Sequence, residues 1–260
     1  MSQWAAKRQL AIFIGVIAFF ALVAFLIIWP SISKEPTCND GKQNGSENGV
    51  DCGGSCKLVC VSDVAPAPVL WARAFNINDD VYSAVAEVEN PNPTLLGLSR
   101  PYEFRFYDEE NQFITRVVGF TYLPPNQNTT IFEGGIKTGN REIKRTTFTW
   151  LDEGSWYKIN KDVLDDYMLE VSAISITDET NSPSLEAKIK NIGKGDLPEI
   201  PVIAVIYGSD GNAIASSKTL SKTLLSGSES MVYFTWPKGF EESSSRIEIV
   251  PVIPGQYFAR

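Results

Sequence analysis

The sequence predicts a mostly β chain: an N-terminal transmembrane helix, a small cysteine-stapled segment, and two tandem β-sandwiches. Three observations carry this prediction. Residues 10–29 read LAIFIGVIAFFALVAFLIIW, with no charged or polar side chain. All four cysteines fall between Cys38 and Cys60. Beyond residue 64, apolar residues alternate in short runs closed by turn clusters, and the whole series occurs twice.

The apolar stretch comes first. At about 1.5 Å per residue, a helix over 10–29 is roughly 30 Å long, the thickness of a bilayer's hydrocarbon core. A cleaved signal peptide has a shorter apolar region and a small-residue cleavage site, and WPSISKEP offers no A-x-A pattern. The reading is therefore a single-pass anchor. Residues 1–9 carry Lys7, Arg8 and no acid, which places them in the cytoplasm by the positive-inside rule. Trp4 and Trp29 bracket the span as interfacial aromatics, Pro30 is expected to stop the helix, and Lys34 is offset by Glu35. Everything from about residue 30 onward is then extracytoplasmic. Of 23 basic and 31 acidic residues, removing Lys7 and Arg8 leaves 21 against 31, so the exported part carries -10. So acidic a body is not expected to bind nucleic acid. Histidine is absent, which removes Ser-His-Asp and Cys-His nucleophile systems and histidine-dependent zinc sites.

Residues 30–62 form the stalk. The cysteines are spaced C-x13-C-x3-C-x3-C: Cys38, Cys52, Cys56 and Cys60. Outside the membrane four cysteines pair into two disulfides, with three connectivities open. A four-cysteine zinc site is the rival, but its knuckles need close pairs at both ends, and only Cys52, Cys56 and Cys60 approach that. Between the first two cysteines lie Asp40, Asn44, Glu47 and Asp51, with Gly41, Gly45 and Gly49 permitting a tight wrap. An all-oxygen set of this kind suits calcium, and these four residues are the candidate ligands. The spacing is not that of an EF-hand, and the competing reading is a set of solvated turns built on Asn-Gly and Asp-Gly pairs.

A stiff Pro-Ala run, Ala65–Pro68, leads into the first sandwich, assigned to residues 64–159. In VYSAVAEVEN, Tyr82, Ala84, Ala86 and Val88 share one face, and Val81, Ser83, Val85, Glu87 and Glu89 share the other. YEFRFYD sets Tyr102, Phe104, Phe106 and Asp108 against Glu103, Arg105 and Tyr107. QFITRVVGFTYL, TTIFEGGI and EIKRTTFTW continue the series. The second sandwich, residues 163–253, repeats it after KINKDVL. LEVSAISITDET stands for PVLWARAFNIND, SLEAKIKNIG for YSAVAEVENPN, and IPVIAVIYGSDGNAIA for PYEFRFYDEENQFIT; LLSGSESMVYFTW and SRIEIVPV complete the set. Both copies contain a strand of pattern A-x-[IV]-x-N, ending at Asn90 and Asn191.

On AEVENPNP (Ala86–Pro93), FRFYDEENQFI (Phe104–Ile114) and GFTYLPPNQ (Gly119–Gln127), the first copy resembles the FxLYD-type domains, small immunoglobulin-like sandwiches of exported bacterial and archaeal proteins. Phe104, Arg105, Phe106, Tyr107 and Asp108 occupy the eponymous positions, with Phe106 in place of leucine. The second copy, with VIYGSDGNAI, resembles adhesion-type domains more loosely. The cysteine segment is similar to a C-x-D-G-x-x-N-x-x-E-x-x-x-D-C-G-G-x-C tag of exported, anchored proteins. These resemblances imply two immunoglobulin-like folds and an extracytoplasmic location, and no catalytic residues.

The remaining signals fit scaffold roles. Asp108–Glu110, Asp152 with Glu153, and Asp165 with Asp166 fall in turns between strands, without the pocket that paired-carboxylate catalysis needs. EGGIKTGNRE lacks the strand-to-helix context and G-K-[ST] of a phosphate loop. Trp71, Phe104, Phe106, Trp150, Trp156 and Trp236 are expected to pack cores. Asn44-Gly-Ser46 and Asn128-Thr-Thr130 are glycosylation sequons in an organism that uses them. The expected function is non-enzymatic: two sandwiches presented at the cell surface to a protein or surface partner for binding, adhesion or spacing. The alternative is a structural subunit of an envelope, secretion or pilus-type assembly.

Overall fold

The computed structural model describes residues 3–32, 37–160 and 162–258. They fall into two compact units, Met1–Asp51 and Cys52–Arg260.

In the first unit, helix α1 (Gln3–Ile32) contains a stretch, Gln9–Ile27, long and apolar enough to cross a membrane, a property that anchors and secretion signals share. Its bulky side chains, Leu10, Phe13, Phe20 and Leu26 among them, are exposed. The helix runs two residues past Pro30, which was expected to end it. A proline in a last turn forfeits one N–H bond without breaking the turn that preceding residues hold. Lys34 and Glu35, and the side chains of Trp4, Lys7, Arg8 and Trp29, lie outside the described residues.

The second unit is built from strands. They are β1 (Leu58–Val59), β2 (Val69–Asn78), β3 (Val81–Asn90), β4 (Leu95–Tyr107), β5 (Phe113–Leu123), β6 (Gln127–Lys137), β7 (Arg145–Trp150) and β8 (Ser155–Lys158) in the first sandwich. A short helix α2 (Asp162–Asp165) leads to β9 (Leu169–Thr177), β10 (Ser184–Asn191), β11 (Pro201–Tyr207), β12 (Ala213–Leu220), β13 (Glu229–Thr235) and β14 (Arg246–Pro251). In sandwich 1 the antiparallel sheet β2-β3-β6 faces a sheet ordered β1-β8-β4-β5, with β7 also paired to β4. In sandwich 2, β13-β10-β9 faces β12-β11-β14.

The internal repeat is thus a repeat of topology. β3 pairs with β2 and β6 as β10 pairs with β9 and β13. β4 pairs with β5 and β7 as β11 pairs with β12 and β14. Each copy has its own core. Ala84, Ala86, Val88, Tyr102, Phe104, Phe106 and Trp156 meet in the first; Leu185, Ala187, Ile189, Val202, Ala204, Ile206 and Phe234 meet in the second. Each fully buried large apolar side chain contributes about 1.5–3 kcal/mol. Of the tryptophans expected in cores, Trp156 and Trp236 are buried, while Trp71 and Trp150 are half-buried.

The two motif asparagines do the same job in each copy. Asn90 is fully buried, and its Nδ2 donates to the carbonyls of Leu95, Leu123 and Pro124 at 2.8, 2.9 and 2.9 Å, while its Oδ1 accepts from Asn92 N. Asn191 donates to Gly195 O and Leu224 O at 2.8 and 3.0 Å and accepts from Gly193 N. An amide side chain, donor and acceptor at once, can satisfy the backbone of two loops where the strand ends.

Gly119 faces Tyr102, whose hydroxyl donates to Glu133 Oε1 at 2.8 Å and so links β4 to β6 across the sandwich. A Cβ at position 119 would overlap that hydroxyl. Gly119→Ala is expected to cost about 1–3 kcal/mol by displacing the phenol. In a Tyr102→Ala background, where both the hydroxyl and the ring carbon 2.6 Å from the added Cβ are gone, most of the cost should vanish; an equal cost in both, by urea denaturation, would refute the account.

The end of the stalk, from Cys52, and the lead that follows it are stitched into sandwich 1. β1 pairs with β8 in the register Leu58↔Tyr157 and Val59↔Trp156, and the Cys52–Cys60 disulfide closes the loop that carries it. Asn92 grips Ala65 through both its N and its O, at 2.9 Å each. Trp150 donates to Ala67 O at 2.9 Å. The stretch from Cys52 is therefore part of the folded body, not a free tether.

Candidate functional site

The two sandwiches pack sheet to sheet. The outward side chains of β3 and β11 do not meet water but each other: Val85, Ile203, Val205, Tyr207 and Ala213 form a third buried cluster, flanked by Trp71, Phe75 and Phe132. This explains the composition of PVIAVIY, which alternates nothing because both of its faces are covered. Val202, Ala204 and Ile206 enter the sandwich core, and Ile203, Val205 and Tyr207 enter the seam.

Polar contacts finish the seam. Ser83 and Ser216 hydroxyls lie 3.1 Å apart, both buried. Arg73 donates to Asn212 Oδ1 at 2.5 Å and to Ala213 O at 3.3 Å, and Lys238 donates to Asn76 Oδ1 at 3.1 Å. Trp71 meets Tyr207 edge to face at 6.3 Å. Tyr207 donates to Glu248 Oε2 at 2.8 Å, and burial together with that carboxylate pushes its phenol above the ordinary range.

Two cavities open along the seam. One of about 880 Å³ is polar and mixed in charge, with Arg73, Lys144, Lys238, Asp210 and Glu242 in its walls. The other, about 400 Å³, is mainly apolar, bounded by Tyr122, Tyr167, Met168, Val252, Ile253 and Phe258. Cavities at domain junctions are where ligands and peptides commonly seat.

The residues singled out from sequence are distributed as follows. Asp40, Asn44, Glu47 and Asp51 all lie in the first unit and form one network. Asp51 accepts from the backbone N–H of Asp40 and Gly41 at 2.9 Å each, Glu47 accepts from Asn44 N at 3.0 Å, and Asn44 Nδ2 donates to Asp40 Oδ2 at 2.8 Å. The Asn44 amide, with further N–H groups, holds the Asp40 carboxyl below its ordinary value. These bonds tie the turns together; a cation held by Asp51 and Glu47 would share oxygens that already serve backbone amides. Among the described residues no cysteine is free, and the bonded pair Cys52–Cys60 makes thiolate chemistry at either position irrelevant. Of the carboxylate pairs, Asp108 accepts from Gln112 N at 2.7 Å and pairs with Arg141, which holds it below the ordinary range. Asp152 caps its own turn through Gly154 N, and Asp165 and Asp166 lie in the helical linker and the turn after it. No two of these pairs converge on one cavity.

Two buried charges escaped sequence reasoning. Glu103 sits on the outer face of β4 yet is only 1% exposed, because Arg105 and Arg116 fold over it at 2.5 and 2.9 Å. Burial pulls its carboxyl upward, but the bonds and charges of Arg116 and Arg105 outweigh that and leave it lowered. A lowered carboxylate stabilises the fold above the ordinary value of 4.5 and loses that contribution as pH falls through its folded-state value. Glu103→Gln should therefore cost about 1–2 kcal/mol at neutral pH, discounted for the exposure of both arginines. At pH 3 the deficit should shrink; an undiminished deficit in urea titrations would contradict the assignment. Arg100, 4% exposed, lies over Trp150 and Trp156 at 4.5 and 5.4 Å from the ring centres and donates to Asp152 O at 2.9 Å. Burial lowers its guanidinium pKa, against the opposing pull of Glu153 and Asp152. Glu103 alternates with apolar neighbours as a surface residue would, and Arg100, between Ser99 and Pro101, precedes the alternating run, so periodicity gave no signal for either.

No family model matches the chain, and no curated protein matches it. Among solved structures, a β-glucuronidase 2 of Bacteroides uniformis matches 64% of this chain and 22% of its own, at 12% identity and a TM-score of 0.21. A β-glucuronidase of glycoside hydrolase family 2 matches 84% and 29%, at 9% identity and 0.23. Red sea bream transglutaminase matches 73% and 32%, at 8% identity and 0.24. The chain spans less than a third of each of these proteins, and TM-scores this low carry no argument about what it does.

Proposed function

We propose that this is a non-enzymatic, membrane-anchored protein that presents two immunoglobulin-like sandwiches, the first of FxLYD type, on the extracytoplasmic side for binding, adhesion or spacing. The observation that carries the reading is the disulfide Cys52–Cys60 following a helix of membrane-crossing length and composition. Disulfides persist in oxidising compartments, so α1 with its basic flank on the cytoplasmic side sets the sandwiches outside. The mechanism is positioning. Because the seam buries one sheet of each sandwich, the outer sheets are left to offer contacts. Tyr233 is exposed on one, and Val118 and Phe120 on the other.

Protease added to intact cells should cleave the sandwiches and spare an N-terminal tag; the opposite pattern would overturn the orientation. The alternative, a subunit of an envelope, secretion or pilus-type assembly, is favoured by strand edges left unpaired in the described residues. Replacing residues 10–29 with an unrelated membrane helix decides between them. Partner binding that survives the exchange supports presentation, and binding that is lost supports an assembly built through the helix.

A further inference from the structure

Glu103 holds two arginines on the outer face of sandwich 1. Arg105 gives it Nε and Arg116 gives it Nη1, yet the two side chains remain 49% and 62% exposed. Tyr107 lends Arg105 one further acceptor. A guanidinium has five N–H donors, so each arginine keeps donors turned to water. Two guanidiniums over one carboxylate also leave positive charge unbalanced. Donors that are already oriented bind an acceptor at less entropic cost than free ones.

The rest of this face is apolar. The register sets Arg105 beside Arg116, Glu103 beside Val118 and Pro101 beside Phe120, while Tyr102, Phe104 and Phe106 point into the core. On the other side of β4, Leu151 N donates to Pro101 O at 3.0 Å and so extends the row of Phe120. Val118, Phe120 and Leu151 are all exposed, Phe120 by 67%. The sheet thus offers a fixed arginine pair next to an uncovered apolar row.

The surroundings narrow the occupant. Lys144 pairs with Glu142, Arg141 pairs with Asp108, and Arg145 lies over the Tyr107 ring. Glu109 and Glu110 stand exposed in the hairpin between β4 and β5. The neighbouring bases are therefore engaged and acids border the face, so a polyanion or an anionic bilayer would meet repulsion. The apolar row needs an apolar counterpart, which a charged glycan lacks. A single carboxylate set among apolar groups complements both parts.

We infer that this face docks another polypeptide through an aspartate or glutamate flanked by large apolar side chains. Arg105 and Arg116 receive the carboxylate, and its apolar neighbours cover Val118, Phe120 and Leu151. The inference rests on the presentation reading above and names which outer sheet binds and what it binds.

The test uses the full-length protein in phosphatidylcholine nanodiscs, exposed to a displayed library of random linear peptides. Enriched peptides should carry an Asp or Glu adjacent to large apolar residues. Arg116→Gln should weaken such a peptide at least about ten-fold, and Arg116→Lys should recover only part, since an ammonium lacks the fork. Phe120→Asp, a surface change that should leave the fold intact, should weaken it several-fold and guards against misfolding in the arginine variants. Tyr233→Ser, on the outer face of sandwich 2, should change nothing. Enriched peptides without an acid, or peptides indifferent to Arg116 and Phe120, would overturn the inference. Peptides lost only in Tyr233→Ser would overturn it and leave the presentation reading intact. Arginine-dependent binding of phosphatidylglycerol vesicles or polyglutamate in place of peptides would replace the polypeptide with a polyanion. No enrichment over empty discs would also overturn the inference, while the protease experiment above reports separately on presentation.

Discussion

Asn90→Ala is expected to destabilise sandwich 1 by about 3–5 kcal/mol. The substitution orphans three carbonyls and one N–H in a place without exposure, and each lost buried partner costs about 1–1.5 kcal/mol. Asn191→Ala removes fewer bonds, to Gly195 O, Leu224 O and Gly193 N, and should cost about 2–4 kcal/mol. Asn90→Asp separates hydrogen bonding from size. It keeps the shape and the acceptor but turns a carboxylate toward three carbonyl oxygens, and should be worse than alanine. Urea denaturation of the three variants checks this; alanine variants within about 1 kcal/mol of the parent, or an aspartate better tolerated than alanine, would rule out the assigned role.

Val85→Asp should uncouple the two sandwiches. Val85 is fully buried in the seam, not in either sandwich core. An unpaired carboxylate there costs several kcal/mol if the seam stays closed, and next to nothing if it opens to water. Opening is therefore the favoured response, and each sandwich keeps its own core. The parent is expected to melt in one transition and the variant in two, with faster amide exchange in β3 and β11 where they face each other. A single transition shifted down by several degrees would mean that the sandwiches are not independent folding units.

Much of this architecture was legible in the chain. The strand VYSAVAEVEN is β3 residue for residue, and of the two faces read from its alternation, the one with Tyr82, Ala84, Ala86 and Val88 enters the core of sandwich 1. The correspondence of segments between the copies is the correspondence of strands. These succeed because side-chain period and turn residues are local properties, and a repeat doubles the evidence for each. β1 and β8 were not legible, since two and four residues are too few for a period to appear. Nor was the burial of Glu103, which depends on Arg116 arriving from the next strand.

By itself, then, the sequence determined the apolar helix, the cysteine clustering, the mostly β class and the doubled sandwich, because each is written in the order of neighbouring residues. The tertiary structure alone decided that the faces of β3 and β11 turned away from their own cores are buried against each other. It also decided that the cysteine segment contributes a strand to sandwich 1. Those outcomes depend on which distant surfaces meet, and a residue such as Val85 carries the same alternation whether the far side of its strand faces water or another sheet.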